Sequence, residues 1–157
     1  MIVETRTSLE FPHPTPVVFE RAVALATLPR TFRGFGPIPA ILRVSVEGGG
    51  PIAVGAVRLV EASDKSTMRE LVTAHEPPWL HAYRLEGIAP PLSLLVRRGE
   101  SEWRFEDINE GRGTRMTWTY RFHLTTPLVF PLTFPLLRIF MHGALRRCLE
   151  NLRAELS

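Results

Sequence analysis

The sequence predicts an α+β domain in which a curved antiparallel sheet of about seven strands wraps around one long C-terminal helix. Three observations predict it. Between residues 41 and 124, runs with a period of two follow one another through turns too short for a parallel crossover, so their strands pair antiparallel. From about residue 135 to 156 the apolar period changes to that of a helix. The length of 157 residues suits a single domain, 1–157. Such a domain buries roughly 70% of its unfolded surface and needs no disulfide or metal to hold together.

The elements follow in order. Residues 2–10 alternate Val3, Thr5, Thr7 and Leu9 against a polar outer face, which is a half-buried strand. Pro12, Pro14 and Pro16 stop it, and Thr15-Pro16 opens a short amphipathic helix running through Val17, Val18, Ala22, Leu25 and Leu28 to an end at Pro29. Residues 31–40 are rich in Gly and Pro and read as a loop. Strands are expected at 41–47, 54–62, 67–75 and 79–86, with turns at Gly48-Gly49-Gly50-Pro51, Ser63-Asp64-Lys65-Ser66 and Glu76-Pro77-Pro78. After a looser apolar loop at 87–95, which contains Pro90-Pro91, a last hairpin joins 102–108 to 114–124 through Glu110-Gly111-Arg112-Gly113. The closing helix carries Leu137, Met141, Ala144, Leu145, Cys148, Leu149 and Leu152 on one stripe. At 1.5 Å per residue it extends about 30 Å. That stripe needs a partner, and the only large one is the concave face of the sheet. A curved sheet that packs fully near the ends of the helix leaves a gap between, where a ligand cavity forms.

Composition excludes several classes. Hydrophobic residues make up 45% and charged residues 22%, a globular balance. Cys148 stands alone, which rules out an internal disulfide, a cysteine zinc site and a CxxC pair. The 19 basic residues, all arginine except Lys65, exceed the 16 acidic ones by only three and are scattered, so no nucleic-acid partner is expected. The first ten residues carry Glu4, Arg6 and Glu10 rather than a signal-peptide core, and a cytoplasmic location is the default expectation. The uncharged stretch 124–137 is fourteen residues long and contains Pro127, Pro131 and Pro135. It falls short of the roughly 20 residues of a membrane span, and its prolines are expected to break such a helix.

Certain strings carry a family likeness. Gly55-Ala56-Val57-Arg58-Leu59-Val60, Arg69-Glu70-Leu71-Val72-Thr73, Glu76-Pro77-Pro78-Trp79-Leu80-His81-Ala82-Tyr83-Arg84-Leu85, Gly111-Arg112-Gly113-Thr114-Arg115-Met116-Thr117-Trp118 and the closing helix resemble the START-like (SRPBCC) superfamily. Within it they are similar to the polyketide cyclase/dehydrase and lipid-transport group. The resemblance covers essentially the whole chain. It implies a helix-grip fold with an internal hydrophobic cavity, and it implies no single chemistry, because relatives include lipid carriers, hormone receptors, aromatic cyclases and hydrolase activators.

The candidate site residues come from strand register. A turn centred on Asp64 pairs Arg58 with Glu70, Val60 with Met68 and Val57 with Leu71. Exposed, such an ion pair contributes roughly 0.2–1 kcal/mol. Its same-face neighbours Ala56, Val60, Met68, Val72 and Ala74 are apolar, however, and a buried pair beside a cavity points to ligand recognition. In the abscisic acid receptors that the family includes, the matching positions face the pocket. Both readings stay open at this point. Centring the last hairpin on Gly111-Arg112 opposes Trp103 to Tyr120 and Phe105 to Trp118, an aromatic ladder that is core, cavity wall or both. The candidate ligand-binding set is therefore Arg58, Glu70, Tyr83, Trp103, Phe105, Trp118, Tyr120, Leu137 and Met141, with no catalytic residue assigned. None of the five histidines (13, 75, 81, 123, 142) has metal-ligand spacing, although His75 and His81 face each other across a turn. No nucleophile elbow, phosphate loop or dinucleotide fingerprint occurs, so neither a metal nor a cofactor is expected. The apolar run 128–137 reads either as a lead-in to the helix or as a lid or patch that meets a membrane or partner.

The expected function is binding of a hydrophobic or aromatic, lipid- or polyketide-like small molecule, without stable membrane insertion; a homodimer is compatible with the sequence. Two rivals remain, a cofactor-free cyclase or dehydratase using Glu70, a His or Tyr120, and a partner-binding module.

Overall fold

The computed structural model describes residues 1–88, 90 and 92–157. Among the described residues one sheet holds every strand: β1 (Ile2–Phe11), β2 (Ile41–Val46), β3 (Val57–Ala62), β4 (Thr67–Glu76), β5 (Leu80–Glu86), β6 (Val96–Ile108) and β7 (Gly113–Leu124). Its order, β1-β7-β6-β5-β4-β3-β2, is a meander in which β1 crosses over to pair with β7, and every pairing is antiparallel. Helices α1 (Thr15–Val23) and α2 (Thr27–Thr31) form the crossover. A last helical rod holds α3 (Phe130–Pro135), a π-turn (Leu136–Met141) and α4 (His142–Leu156). The rod buries Leu137, Ala144, Leu145, Cys148, Leu149 and Leu152 in one core with Trp103, Trp118, Phe122 and Phe11. Each large apolar side chain so buried contributes roughly 1.5–3 kcal/mol.

Several expected boundaries move. The helix expected to end at Pro29 breaks earlier, because Ala24 is extended, and Pro29 falls in the first turn of α2, where its missing N–H has no intrahelical partner to lose. Strand β3 begins at Val57 rather than at 54, since Gly55 has φ +91°. Strand β6 begins at Val96 rather than at 102. Its early residues Arg97 and Arg98 are exposed, and Gly99 leaves room for Leu85, whose Cδ1 would stand 2.6 Å from an added Cβ. The 87–95 loop includes Ala89 and Pro91, which lie outside the described residues.

Two corrections bear on the site. Asn109, Glu110 and Gly111 all have positive φ, so the last hairpin turns one residue earlier than Gly111-Arg112. Every partner shifts by two: Trp103 opposes Trp118, Phe105 opposes Met116 and Tyr120 opposes Ser101. A shift of two keeps each side chain on its face. The prolines at 127, 131 and 135 do not break the rod. Pro127 opens a turn in which the Thr126 hydroxyl accepts from Leu128 N–H, Pro131 sits in the first turn of α3, and the wider π-turn follows Pro135 directly. Helical backbone thus runs over Pro127–Leu156, 30 residues, long and apolar enough to cross a membrane by length and composition. In this fold it is the helix that the sheet grips.

Candidate functional site

Alternation along β3 places Arg58 and Val60 on the concave face, and β4 answers with Met68 and Glu70. The observed pairs are Arg58 with Glu70 and Val60 with Met68, as the Asp64-centred turn predicts. Arg58 is 1% exposed and Glu70 6%, so the surface-pair reading falls. Arg58 Nη2 donates to Glu70 Oε1 at 2.6 Å. The guanidinium also lies over the rings of Tyr83, at 4.6 Å, and Trp103, at 5.6 Å.

A cavity of about 350 Å³ opens between the sheet and the helical rod. Its inner end is formed by Glu70, Tyr83, Tyr120 and Trp118, its walls by Val60, Met68, Leu137 and Met141. Exposed Pro37, Asp64 and Pro90 border its mouth, with Ile38, Leu92, Leu95 and Leu136 beside them. Of the nine candidates, six line this space: Glu70, Tyr83, Trp118, Tyr120, Leu137 and Met141. Arg58, Trp103 and Phe105 do not. Arg58 and Trp103 sit behind the inner end, and Phe105 is edge-to-face with Phe19 of α1, with centroids 5.0 Å apart. Val60 and Met68 were legible as same-face neighbours of the ion pair. The mouth residues carried no signal of a site, Asp64 only that of a turn, because they arrive from loops distant in sequence.

The electrostatics are those of a dry polar knot. Burial drives the Glu70 carboxyl above the usual carboxylate range, and the Arg58 charge offsets only part of this. Burial pulls Arg58 down, yet Glu70 and the two tyrosines outweigh it and the guanidinium is held charged. Burial, joined by Glu70 for Tyr83 and by Tyr83 for Tyr120, raises both phenols, so their hydroxyls stay protonated. Trp118 Nε1–H donates to Ser101 Oγ at 2.9 Å. Behind this group His81, fully buried, meets His75 with Nδ1 atoms 3.1 Å apart, and both rings are held neutral, chiefly by burial and then by the Arg58 charge. His81 Nε2, Trp103 Nε1 and Arg58 Nε have no hydrogen-bond partner among the described residues. Burial pushes the Cys148 thiol up to about 12, which makes it a packing group, as its place on the apolar stripe predicts. Among the described residues, no three His, Cys, Asp or Glu side chains form a metal-holding group.

The mouth is fixed by a reciprocal clasp. Phe35 packs on Gly143 and Phe140 on Gly36, each ring occupying the place of a missing side chain. A Cβ at Gly143 would stand 2.6 Å from the Phe35 ring. Gly143→Leu is therefore expected to expel Phe35, free the loop that carries Pro37 and Ile38, and cost about 1–3 kcal/mol. Urea unfolding reads the loss and hydrogen exchange reads the loop; unchanged values in both would show that the clasp is incidental.

A family model described as polyketide cyclase/dehydrase and lipid transport matches residues 3–157. No curated protein matches the chain in sequence. Among solved structures, Ara h 8.0201 is similar at TM-score 0.73 and 14% identity, over 99% of this chain and 98% of that one. Norcoclaurine synthase from Thalictrum flavum, in complex with dopamine and hydroxybenzaldehyde, is similar at 0.73 and 12%, over 99% and 87%. The di-domain ARO/CYC StfQ of the steffimycin biosynthetic pathway is similar at 0.73 and 14%, over 98% of this chain and 50% of that one. At such identities the likeness is one of fold, the helix-grip arrangement of sheet and terminal helix.

Proposed function

The chain belongs to the polyketide cyclase/dehydrase and lipid-transport family, and from that premise we propose that it encloses a hydrophobic or aromatic small molecule, lipid- or polyketide-like, between its sheet and its last helix. One observation carries the reading: an apolar cavity of about 350 Å³ ends in a few polar groups, Glu70, Tyr83 and Tyr120. Apolar walls supply the driving force and sparse polar groups the orientation. Arg58 and Trp103 serve from behind, the first by holding the Glu70 carboxylate in place. Native mass spectrometry of freshly purified protein is expected to show a retained small molecule. Sterols, flavonoids, long-chain alcohols and aromatic polyketides are expected to raise the melting temperature, by about 2.7 kcal/mol of stability at a hundredfold excess over Kd. Val60→Trp, which fills the cavity, is expected to abolish both signals. If no compound shifts the wild-type protein and no molecule is retained, the reading fails.

A catalytic reading rests on Glu70. A carboxylate on the cavity wall with raised proton affinity suits general-base work on an enclosed polyketide-like substrate. Turnover that Glu70→Gln abolishes while binding survives would establish a cyclase or dehydratase. Binding without turnover in either form would leave a carrier or receptor.

A further inference from the structure

The charges around the cavity are of one sign. Among the described residues that line it, Asp64 at the mouth and Glu70 at the inner end are the only charged side chains. Arg58, the cation paired with Glu70, does not line it. One of its amino groups is bound to Glu70 at 2.6 Å, its flat face is covered by Tyr83 and Trp103, and 1% of its surface is accessible. Glu70 lies across the path. Only its Oε1 takes part in the pair, and Oε2 accepts no hydrogen bond from any described residue. Asp64, by contrast, is exposed at the mouth, where its Oδ1 accepts from the Ser66 amide and hydroxyl.

Taking the cavity as the ligand site, we propose that its ligand is a lipophilic amine, phenol or alcohol, and that molecules carrying a carboxylate, free fatty acids included, are rejected. An N–H or O–H directed at the inner end satisfies Glu70 Oε2. A carboxylate in the same place meets Glu70 in a low-dielectric space, with the guanidinium already committed behind it. The phenols do not rescue it, since two hydroxyl donors do not balance a second buried negative charge that has no counter-charge of its own. Shape selects the hydrophobe, and Glu70 selects its polar group by repulsion as much as by attraction.

A matched naphthalene series tests the proposal at neutral pH: unsubstituted naphthalene, 2-naphthol, 2-(aminomethyl)naphthalene and 2-naphthoate, each titrated by calorimetry and by quenching of tryptophan fluorescence, with Trp118 on the cavity wall. The naphthol and the amine are expected to bind roughly tenfold or more tightly than the naphthoate. Glu70→Gln keeps the shape and a carbonyl acceptor for Arg58 while removing the negative charge, and is expected to narrow that gap roughly tenfold, chiefly by improving naphthoate binding. Naphthoate binding as tightly as naphthol in the wild-type protein overturns the proposal while leaving the cavity as the ligand site. Failure of all four compounds, naphthalene included, overturns the ligand-site reading and this proposal with it. The wild-type series alone decides the matter if the variant does not fold.

Discussion

Arg58→Leu is expected to destabilise the protein by about 3–5 kcal/mol, a large share of the 5–15 kcal/mol that keeps a domain folded. The variant leaves the Glu70 carboxyl buried at 6% exposure without its counter-charge, and it strips the guanidinium from the faces of Tyr83 and Trp103. A buried pair is costly to break but not costly to replace. Arg58→Leu/Glu70→Leu is therefore expected to recover most of the loss, and to bind apolar ligands without regard to their polar group. Urea midpoints of the wild type, both single variants and the double variant form the cycle. A single variant within about 1 kcal/mol of wild type, or a double variant no better than the single, would mean that the pair is not the tightly buried contact described above.

Acid is expected to unfold the protein through His81. In the unfolded chain this ring binds a proton near pH 6.5, whereas burial, the Arg58 charge and His75 hold it at about 3 in the folded state. The folded value lies below the unfolded one. The stabilisation is complete above pH 6.5 and drains away as the pH falls, by about 1.4 kcal/mol per unit, until the ring protonates in place. His75, shifted the same way, adds to the loss. Glu70 works with the opposite sign: its carboxyl is raised, so burying its charge weighs on the fold at neutral pH and acidification relieves that burden. His81→Phe isolates the first effect. Between pH 6 and 4 its unfolding free energy is expected to fall less steeply than that of the wild type by the equivalent of one proton. Parallel pH profiles for the two proteins would exclude His81 as the acid-sensitive group.

The inner-face pattern of β3 and β4 is legible because it is local. A period of two and a turn centred on Asp64 suffice to oppose Arg58 to Glu70, and the apolar company of Val60 and Met68 points inward without deciding the face, which the burial of both residues settles. The last hairpin shows the limit of the same method. Its faces are right, yet its partners move by two, because Asn109 and Glu110 both take a left-handed backbone, which asparagine tolerates but glutamate does not announce. The proline run at 127–135 shows another. Propensity argues for a broken helix, while turn capping at Thr126, a first-turn position for Pro131 and a π-turn after Pro135 keep the rod continuous.

Sequence alone therefore determined the class of fold, the antiparallel strands, the gripping helix and the pairing of Arg58 with Glu70, since each depends on spacing between near neighbours in the chain, while the burial of that pair came from the structure. Tertiary structure decided which member of that pair borders the hollow, which aromatic rings retreat behind it and which loops ring its mouth. Two side chains on one sheet face are equivalent to an alternating pattern; they become different only when rings from β5 and β6 cover one and leave the other beside open space.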